Sequence, residues 1–231
     1  ISSNIMSNYP TQRKIFWDGG NWFILYRQGS STVVNFNYSS NLTGWNAGTD
    51  TFKTIGSIVA AERPDVVYKN ISGTKVVFVA DGIDGGANAW SIGRGIILSN
   101  NSINVTHNHA LHPSGIVGTG VASMTAAIGT ENYYWISTLE SNTVALQMSN
   151  RSLQPDAGTS WDNSSGSFNV SLGNIGANNP VSRLTWLENG NMMQIARGQN
   201  TNIYAMNFTP SPTWSASSVT TIASDLLTSD T

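Results

Sequence analysis

The 231-residue sequence contains no cysteine, and its other scarcities also exclude whole classes of protein. Without cysteine the chain has neither a disulfide framework nor a thiolate metal site. Only 10% of the residues are charged and the formal net charge is -2, so the basic stripe with which nucleic-acid-binding proteins neutralise phosphates is missing. No apolar run approaches the roughly 18 residues of a membrane-spanning helix. The sequence thus predicts no nucleic-acid partner and no membrane span, and solubility must depend on Asn, Ser, Thr and Gly.

The acceptor motif for N-linked glycosylation, N-x-[ST], is frequent. It occurs at Asn37, Asn41, Asn70, Asn100, Asn104, Asn150, Asn163, Asn169 and Asn207. A chain rich in Asn, Ser and Thr produces some of these by chance, but most fall in predicted turns or on outer strands, where a glycan fits. We therefore predict an N-glycosylated protein that is extracellular or on a cell surface. The alternative interpretation is a polar surface that only provides solubility.

The hydrophobic periodicity is that of β-strands throughout the chain. Short runs such as "NWFILYR", "KVVFVA" and "YYWIST" are rich in aromatic and β-branched residues, and Gly, Asn, Asp and Ser separate them. No window keeps apolar residues at helical spacing over the length of a helix. The segment with the most helix propensity, "ASMTAAIG", takes the place of a strand in a repeat, and we predict a strand there.

The repeat comprises four similar units at residues 12–58, 62–110, 119–174 and 181–224. Each unit begins with an apolar strand, a Gly/Asn turn and an aromatic strand. A third strand follows, then a loop that often ends in Trp, and then a fourth strand rich in Ser or Thr. The first and last units align best, with Arg27 over Arg197 and Trp45 over Trp214. Units of this kind are blades of a β-propeller, so we predict an all-β fold of four four-stranded antiparallel blades. A β-sandwich with fortuitous spacing is the alternative.

Four blades allow two arrangements, a closed four-blade ring or part of a larger propeller whose other blades lie elsewhere. The unpaired edges of an open arc promote aggregation, so an arc requires more chain or a partner. The chain begins with isoleucine rather than methionine, which suggests processing or a longer parent chain. We favour the second arrangement.

The loops "SSNLTGW", "DAGTSW" and "TPSPTW" resemble degenerate Asp-boxes, in which a Ser-x-Asp-x-Gly-x-Thr-Trp hairpin joins the third and fourth strands of a blade. In these loops the chain resembles the sialidase-like (BNR-repeat) propeller superfamily of secreted microbial proteins. "SSNLTGW" is also similar to the S-x-D-L-x-x-W of five-bladed glycosidases of the arabinanase and fructosidase kind. The resemblance implies the fold much more than an activity.

The catalytic residues of those families are not found at matching positions. A sialidase requires an arginine trio, an Asp acid/base and a Tyr–Glu pair, and no three arginines here occupy matching first-strand positions. Five-bladed glycosidases place two Asp and one Glu on the innermost strands, because carboxylates must flank the bond. The first strands here offer Asp18, Asp65 and Glu188, and the third unit offers none. We predict no catalytic residue in this chain.

Two segments contain candidate metal ligands. His107, His109 and His112 are the only histidines, and the first two point to the same side of a strand, as a zinc site requires. The segment is predicted to be the outermost strand of the second unit and the crossing "ALHPSG" to the third, which favours a polar edge or a subunit contact. Asp81 and Asp84 of "DGIDGG" are candidate calcium ligands, although Asp-Gly pairs are also common in turns.

Arginine and tryptophan supply the remaining candidates for ligand binding. Arg27 and Arg197 each end a second strand and are candidate contacts for a polar ligand, with an ordinary solvated arginine as the alternative. Sugar-stacking candidates are Trp17, Trp22, Trp90, Trp135 and Trp186. Their position in or beside strands favours packing between blades for most of them.

The favoured function is that of a non-enzymatic extracellular β-propeller module, structural or adhesive, in a cell envelope, filament or virion. Its predicted partners are other copies, other surface proteins and glycans, and no cofactor is predicted beyond the calcium and zinc candidates. One alternative is a secreted, sialidase-like glycoside hydrolase whose active site is completed by blades outside this chain. The other is a carbohydrate-binding module.

Overall fold

The fold is known from a computed structural model. It describes residues 14–27, 33–48, 51–53, 65–82, 90–111, 123–129, 132, 134–140, 143–149, 161–162, 170–171, 181–197, 202–209 and 215–223. The regular structure in these ranges is β-strand, arranged in four antiparallel sheets, which confirms the all-β prediction. Within them no helix is long and apolar enough to cross a membrane.

The sheets follow one another along the chain. The first contains β1 (Ile15–Trp17), β2 (Trp22–Arg27), β3 (Val33–Ser39), β4 (Asn46–Ala47) and β5 (Phe52–Lys53). The second contains β6 (Asp65–Ile71), β7 (Thr74–Gly82), β8 (Trp90–Ile97) and β9 (Ile103–Leu111). The third contains β10 (Ser123–Ile128), β11 (Tyr134–Glu140), β12 (Thr143–Ser149), β13 (Trp161–Asp162) and β14 (Val170–Ser171). The fourth contains β15 (Val181–Trp186), β16 (Met192–Arg197), β17 (Ile203–Thr209), β18 (Ser215–Ala216) and β19 (Thr220–Ala223).

Each sheet has four strand positions in chain order, but the fourth position differs between sheets. In the first, third and fourth sheets it holds two short segments that pair with the same third strand, such as β4 and β5 with β3. In the second sheet β9 fills it alone and continues through Leu111, so Ala110 and Leu111 belong to the strand and not to the crossing. The segment "ASMTAAIG" contains the strand β10, as predicted.

Short polar side chains organise the connections. In the turn between β1 and β2, Gly19 has a φ of 99°, a conformation that favours glycine, and Asp18 Oδ1 accepts the N–H of Asn21 at 2.7 Å. The loop "SSNLTGW" lies between β3 and β4. There Ser39 Oγ accepts the N–H of Leu42 at 2.9 Å and Asn41 Oδ1 accepts that of Thr43 at 3.0 Å. These bonds satisfy backbone donors that no ladder reaches.

Consecutive sheets pack face to face. Between the first and second sheets the buried residues are Phe23, Leu25, Val34, Phe36, Val66, Val77, Val79, Ile97 and Ile103. Between the second and third they are Val67, Val76, Phe78, Ala80, Ala126, Ile128, Tyr134 and Ile136. Successive residues of β7 thus enter opposite clusters, and the continuous apolar run "KVVFVA" reflects a strand buried on both faces.

The order of packing defines two faces for every sheet. We call the face turned toward the preceding sheet upstream and the other face downstream; in the second sheet Val66 is upstream and Val67 downstream. In the first sheet Phe23 and Leu25 are downstream, so the alternation of a strand places Ile15 and Trp17 upstream.

The first strands of the sheets are neighbours in sequence order. Strand β1 contacts β6, β6 contacts β10, and β10 contacts β15. Within the described ranges, no contact of similar extent joins β15 to β1. The arrangement in these ranges is therefore a succession of four sheets, and ring closure is not part of it.

Candidate functional site

Asp65, the first residue of β6, is fully buried and links three sheets. Its Oδ2 accepts the backbone N–H of Ala126 in β10 at 2.8 Å, and its Oδ1 accepts a bond from Nη1 of Arg183 in β15 at 3.2 Å. Beside this contact, Thr125 Oγ1 accepts the N–H of Leu184 at 3.0 Å. The carboxylate therefore holds the first strands of the second, third and fourth sheets together.

Asp18 is the second buried carboxylate, and it fastens the first sheet to the second. Lys75 Nζ of β7 donates to its Oδ2 at 2.8 Å, and Tyr68 of β6 donates its hydroxyl to the Asp18 carbonyl at 3.1 Å. Burial raises the pKa of Asp18, but the hydrogen bond from Lys75 and those from the turn amides of Asn21 and Gly20 outweigh it and lower the pKa. The hydrogen bond to Asp18 in turn raises the pKa of Lys75. Both groups are therefore held in their charged forms.

These contacts affect whether the carboxylates could act in a glycosidase, which requires one carboxyl group on each side of the glycosidic bond. Of the three carboxylates at or beside first strands, Asp18 and Asp65 are engaged in ion pairs. Glu188 is exposed in the turn after β15. The three provide no pair of free carboxyl groups that would act as acid and base.

The metal candidates are placed only in part. His107 and His109 lie on β9, the edge strand of the second sheet, and Asp81 lies near the end of β7, but their side chains are outside the described part of the structure. His112 and Asp84 lie outside the described residues altogether. Among the side chains that are described, no group of three or more His, Cys, Asp or Glu residues is placed to hold a metal ion. The zinc and calcium sites stay predictions.

Arg27 and Arg197 are the last residues of β2 and β16, and thus end second strands; their side chains are not described. Trp135 is buried in the third sheet. A Cβ built at Gly129 would lie 3.2 Å from the ring of Trp186, so that indole packs directly on the glycine. Trp17 instead is exposed.

The glycosylation candidates that the structure describes lie almost entirely at the surface. The exposed ones are Asn41, Asn70, Asn100, Asn104 and Asn207, whereas Asn37 is half-buried and accepts a hydrogen bond from the Tyr26 hydroxyl. Asn150, Asn163 and Asn169 lie outside the described residues. In their turns Asn41, Asn70 and Asn100 accept backbone N–H groups through Oδ1. Those bonds do not involve the side-chain nitrogen, which is the atom to which an N-linked glycan is attached.

The upstream face of the first sheet is the feature that sequence reasoning missed. Ile15 is 47% exposed and Trp17 is 42% exposed, and each pairs with another apolar residue of the same face, Ile24 and Trp22. The two indole rings lie 5.2 Å apart. In the other three sheets the upstream residues of the first strand include Val66, Ala126 and Leu184, and each of these is buried. The runs "IFW" and "WFIL" are apolar on both faces of their strands, and this pattern could have indicated an apolar upstream face.

No protein-family model matches this chain, and no curated protein matches it. The resemblance of its loops to Asp-boxes accordingly stays a prediction.

Proposed function

We propose that this protein is a non-enzymatic structural module of an extracellular surface, in which four β-propeller blades assemble with further copies through the upstream face of the first sheet. The observation that carries this proposal is the exposure of Ile15 and Trp17 at positions that the other sheets bury. Contiguous apolar surface of this kind marks an interaction site. Covering it is favourable by roughly 25 cal/mol for each Å² of apolar surface removed from water.

The partner that fits this face is the downstream face of a fourth sheet on a second copy. In the three packed pairs of sheets, an upstream face is covered by the downstream face of the preceding sheet. The fourth sheet has such a face, and its described part includes Thr185, Met193, Ile195 and Ala205, all half-buried. Packing it on the first sheet of a neighbour continues the existing succession. The contact joins two different surfaces, so it generates a larger ring or an open filament.

The buried carboxylates support the absence of hydrolytic function. Asp18 and Asp65 contribute structural bonds between sheets, as their ion pairs with Lys75 and Arg183 indicate. A glycosidase uses carboxyl groups that are open to substrate. The exposed Asn-x-Ser/Thr motifs support the extracellular, glycosylated setting, since a glycan requires an accessible asparagine.

Sedimentation of the protein over a range of concentrations tests the assembly. We expect the wild type to form head-to-tail oligomers whose size rises with concentration, and Trp17→Lys to remain monomeric because it buries a charge in the contact. Trp45→Lys is the matched control, because Trp45 is 38% exposed but lies beside β4, away from the first strands. A wild type that stays monomeric at every concentration contradicts the proposal.

Two further measurements separate the alternatives. Intact-mass spectrometry of native material should show the mass of the chain plus repeating sugar increments. Incubation with a panel of aryl glycosides and sialosides should show no hydrolysis. Turnover of any of them would support the glycoside hydrolase, and binding of a glycan without turnover, abolished by Trp17→Lys, would support the carbohydrate-binding module.

A further inference from the structure

Among the described residues, the buried side-chain atoms without a hydrogen-bond partner all belong to the third and fourth sheets. In the part of the chain that the structure describes, these atoms are Ser137 Oγ, Trp186 Nε1 and both Nε2 and Oε1 of Gln194. Ser137 belongs to β11 of the third sheet, and the other two residues belong to the fourth. Gln194 is 1% exposed, so bulk water does not reach its amide.

The strand registers place these groups on facing surfaces. Ser137 pairs across the ladder with Thr125, and Gln194 pairs with Leu184. The bond from the Leu184 N–H to Thr125 Oγ1 joins those two neighbours across the interface at 3.0 Å. Each of the two residues therefore lies on the second strand of its sheet, next to the same contact between first strands. Ser137 is on the downstream face of the third sheet, and Gln194 is on the upstream face of the fourth, which packs against it.

The chemistry of the group is that of a small neutral hydrogen-bonding site. The Gln194 amide offers two donors and an acceptor, the Ser137 hydroxyl offers one donor and accepts, and the Trp186 indole donates. None of these side chains carries a charge, so no ion is favoured. Leaving an amide buried and unpaired is costly, and buried polar groups in folded proteins are almost always paired with protein or with ordered water.

We infer that the interface between the third and fourth sheets binds an internal water molecule between Gln194 and Ser137. Buried water makes about three hydrogen bonds to groups of this kind. The water donates to Gln194 Oε1 and to Ser137 Oγ and accepts from an N–H donor, for which Gln194 Nε2 and Trp186 Nε1 are both available. It thereby adds a second polar contact to the interface that already contains the bond from the Leu184 N–H to Thr125 Oγ1. This inference is independent of the assembly and the function proposed above.

The first test detects the water directly. The side-chain amide signal of Gln194 in the ¹⁵N-labelled protein is assigned by its disappearance in Gln194→Leu. In the wild type this amide should show a nuclear Overhauser effect to water whose sign indicates a water molecule with a long residence time. The side-chain amide of Asn189, which is exposed and lies outside every Asn-x-Ser/Thr motif, is the control and should show only fast surface water. Absence of the long-lived signal at Gln194 overturns the inference.

The second test uses the sign of a stability change. With a bridging water, Gln194→Leu removes its partners and leaves Ser137 unpaired, so Tm should fall by about 2 to 4 °C. In a dry interface the same substitution removes an unpaired amide and Tm should rise. Adding Ser137→Ala should restore part of the loss, because residues that share one water are coupled and independent residues are additive. A rise in Tm for Gln194→Leu, or additivity in the double variant, overturns the inference.

Discussion

The interface between the first and second sheets and the interface between the third and fourth are built from the same strand positions but from different chemistry. Apart from the Asp18–Lys75 ion pair, the former is a stack of apolar and aromatic side chains. In that stack the ring centroid of Phe16 lies 5.2 Å from that of Phe23 and 5.1 Å from that of Tyr68, with the rings nearly parallel. The latter places Thr125, Ser137 and Gln194 among its buried residues. A repeated sheet architecture thus accommodates buried polar side chains at an inter-sheet contact as well as apolar ones.

The difference also assigns different roles to the two contacts. Apolar packing is non-directional and contributes stability in proportion to the area buried. Hydrogen bonds across the other contact, such as that between Leu184 and Thr125, are directional and define how the sheets align. Truncation of the apolar side chains of the first contact should therefore have the larger effect on the free energy of unfolding.

The largest expected effect is that of Phe23→Ala. Phe23 is fully buried and its ring lies within 6.2 Å of those of Phe16, Phe36 and Tyr38, so truncation leaves a cavity in the apolar interface. We expect a loss of about 3 to 5 kcal/mol in the free energy of unfolding, measured by urea denaturation. Ile222→Ala, at a residue that is exposed in β19, is the control and should change it by less than about 0.5 kcal/mol. Equal effects would contradict the importance of the aromatic stack.

An intermediate effect is expected at Asp65. Asp65→Ala removes the oxygens that accept hydrogen bonds from the Ala126 N–H and from Arg183. We expect the free energy of unfolding to fall by about 2 to 3 kcal/mol, and not more, because Arg183 is partly exposed and regains water. Asp65→Asn keeps an oxygen for the Ala126 N–H and removes only the charge, so its loss should be smaller. The same urea denaturation measures both. If the two variants were equally destabilised, the ion pair and not the backbone bond would dominate.

The smallest effect is expected for Asp18→Asn, and it should depend on pH. The pKa of Asp18 is lower in the folded protein than its usual value of 3.8. The contribution of its charge to stability is therefore complete above pH 3.8 and is lost as the pH falls through the folded pKa. At neutral pH we expect a loss of about 1 kcal/mol, because Lys75 is partly exposed and its attraction is screened.

Thermal unfolding across the acid range measures this dependence. The difference in Tm between wild type and Asp18→Asn should shrink as the pH falls below 3.8. Glu188→Gln, at an exposed carboxylate in a turn, is the control and should leave Tm close to that of the wild type. A difference that stays constant or grows in acid would show that the Asp18 charge is not what stabilises the turn.

Much of the strand pattern was predictable from local sequence. Aromatic and β-branched runs such as "NWFILYR" and "KVVFVA" became β2 and β7, because side chains that alternate across a strand are stable only when sheets cover them. The two-residue segments in the fourth position were not predictable. Strands such as β4 and β13 are defined by backbone pairing with a third strand, and two residues carry no periodicity.

The candidate site was predictable only as a set of residues. Asp65 was recognised as a carboxylate near the start of a unit, but its partners Ala126 and Arg183 are 61 and 118 positions away. No local pattern reports a contact between residues so far apart. The same holds for Ser137 and Gln194, which read as ordinary polar residues within apolar strands.

By itself, the sequence determined that the chain forms β-strands in four repeated units joined by polar turns, because alternation of side chains and the conformations of Gly, Asn and Asp are local properties. Only the tertiary structure decided which faces are covered, that Asp18 and Asp65 form ion pairs, and that Ile15 and Trp17 lie open. Burial and electrostatic partners are set by the order in which sheets pack, and that order brings together residues from distant parts of the chain.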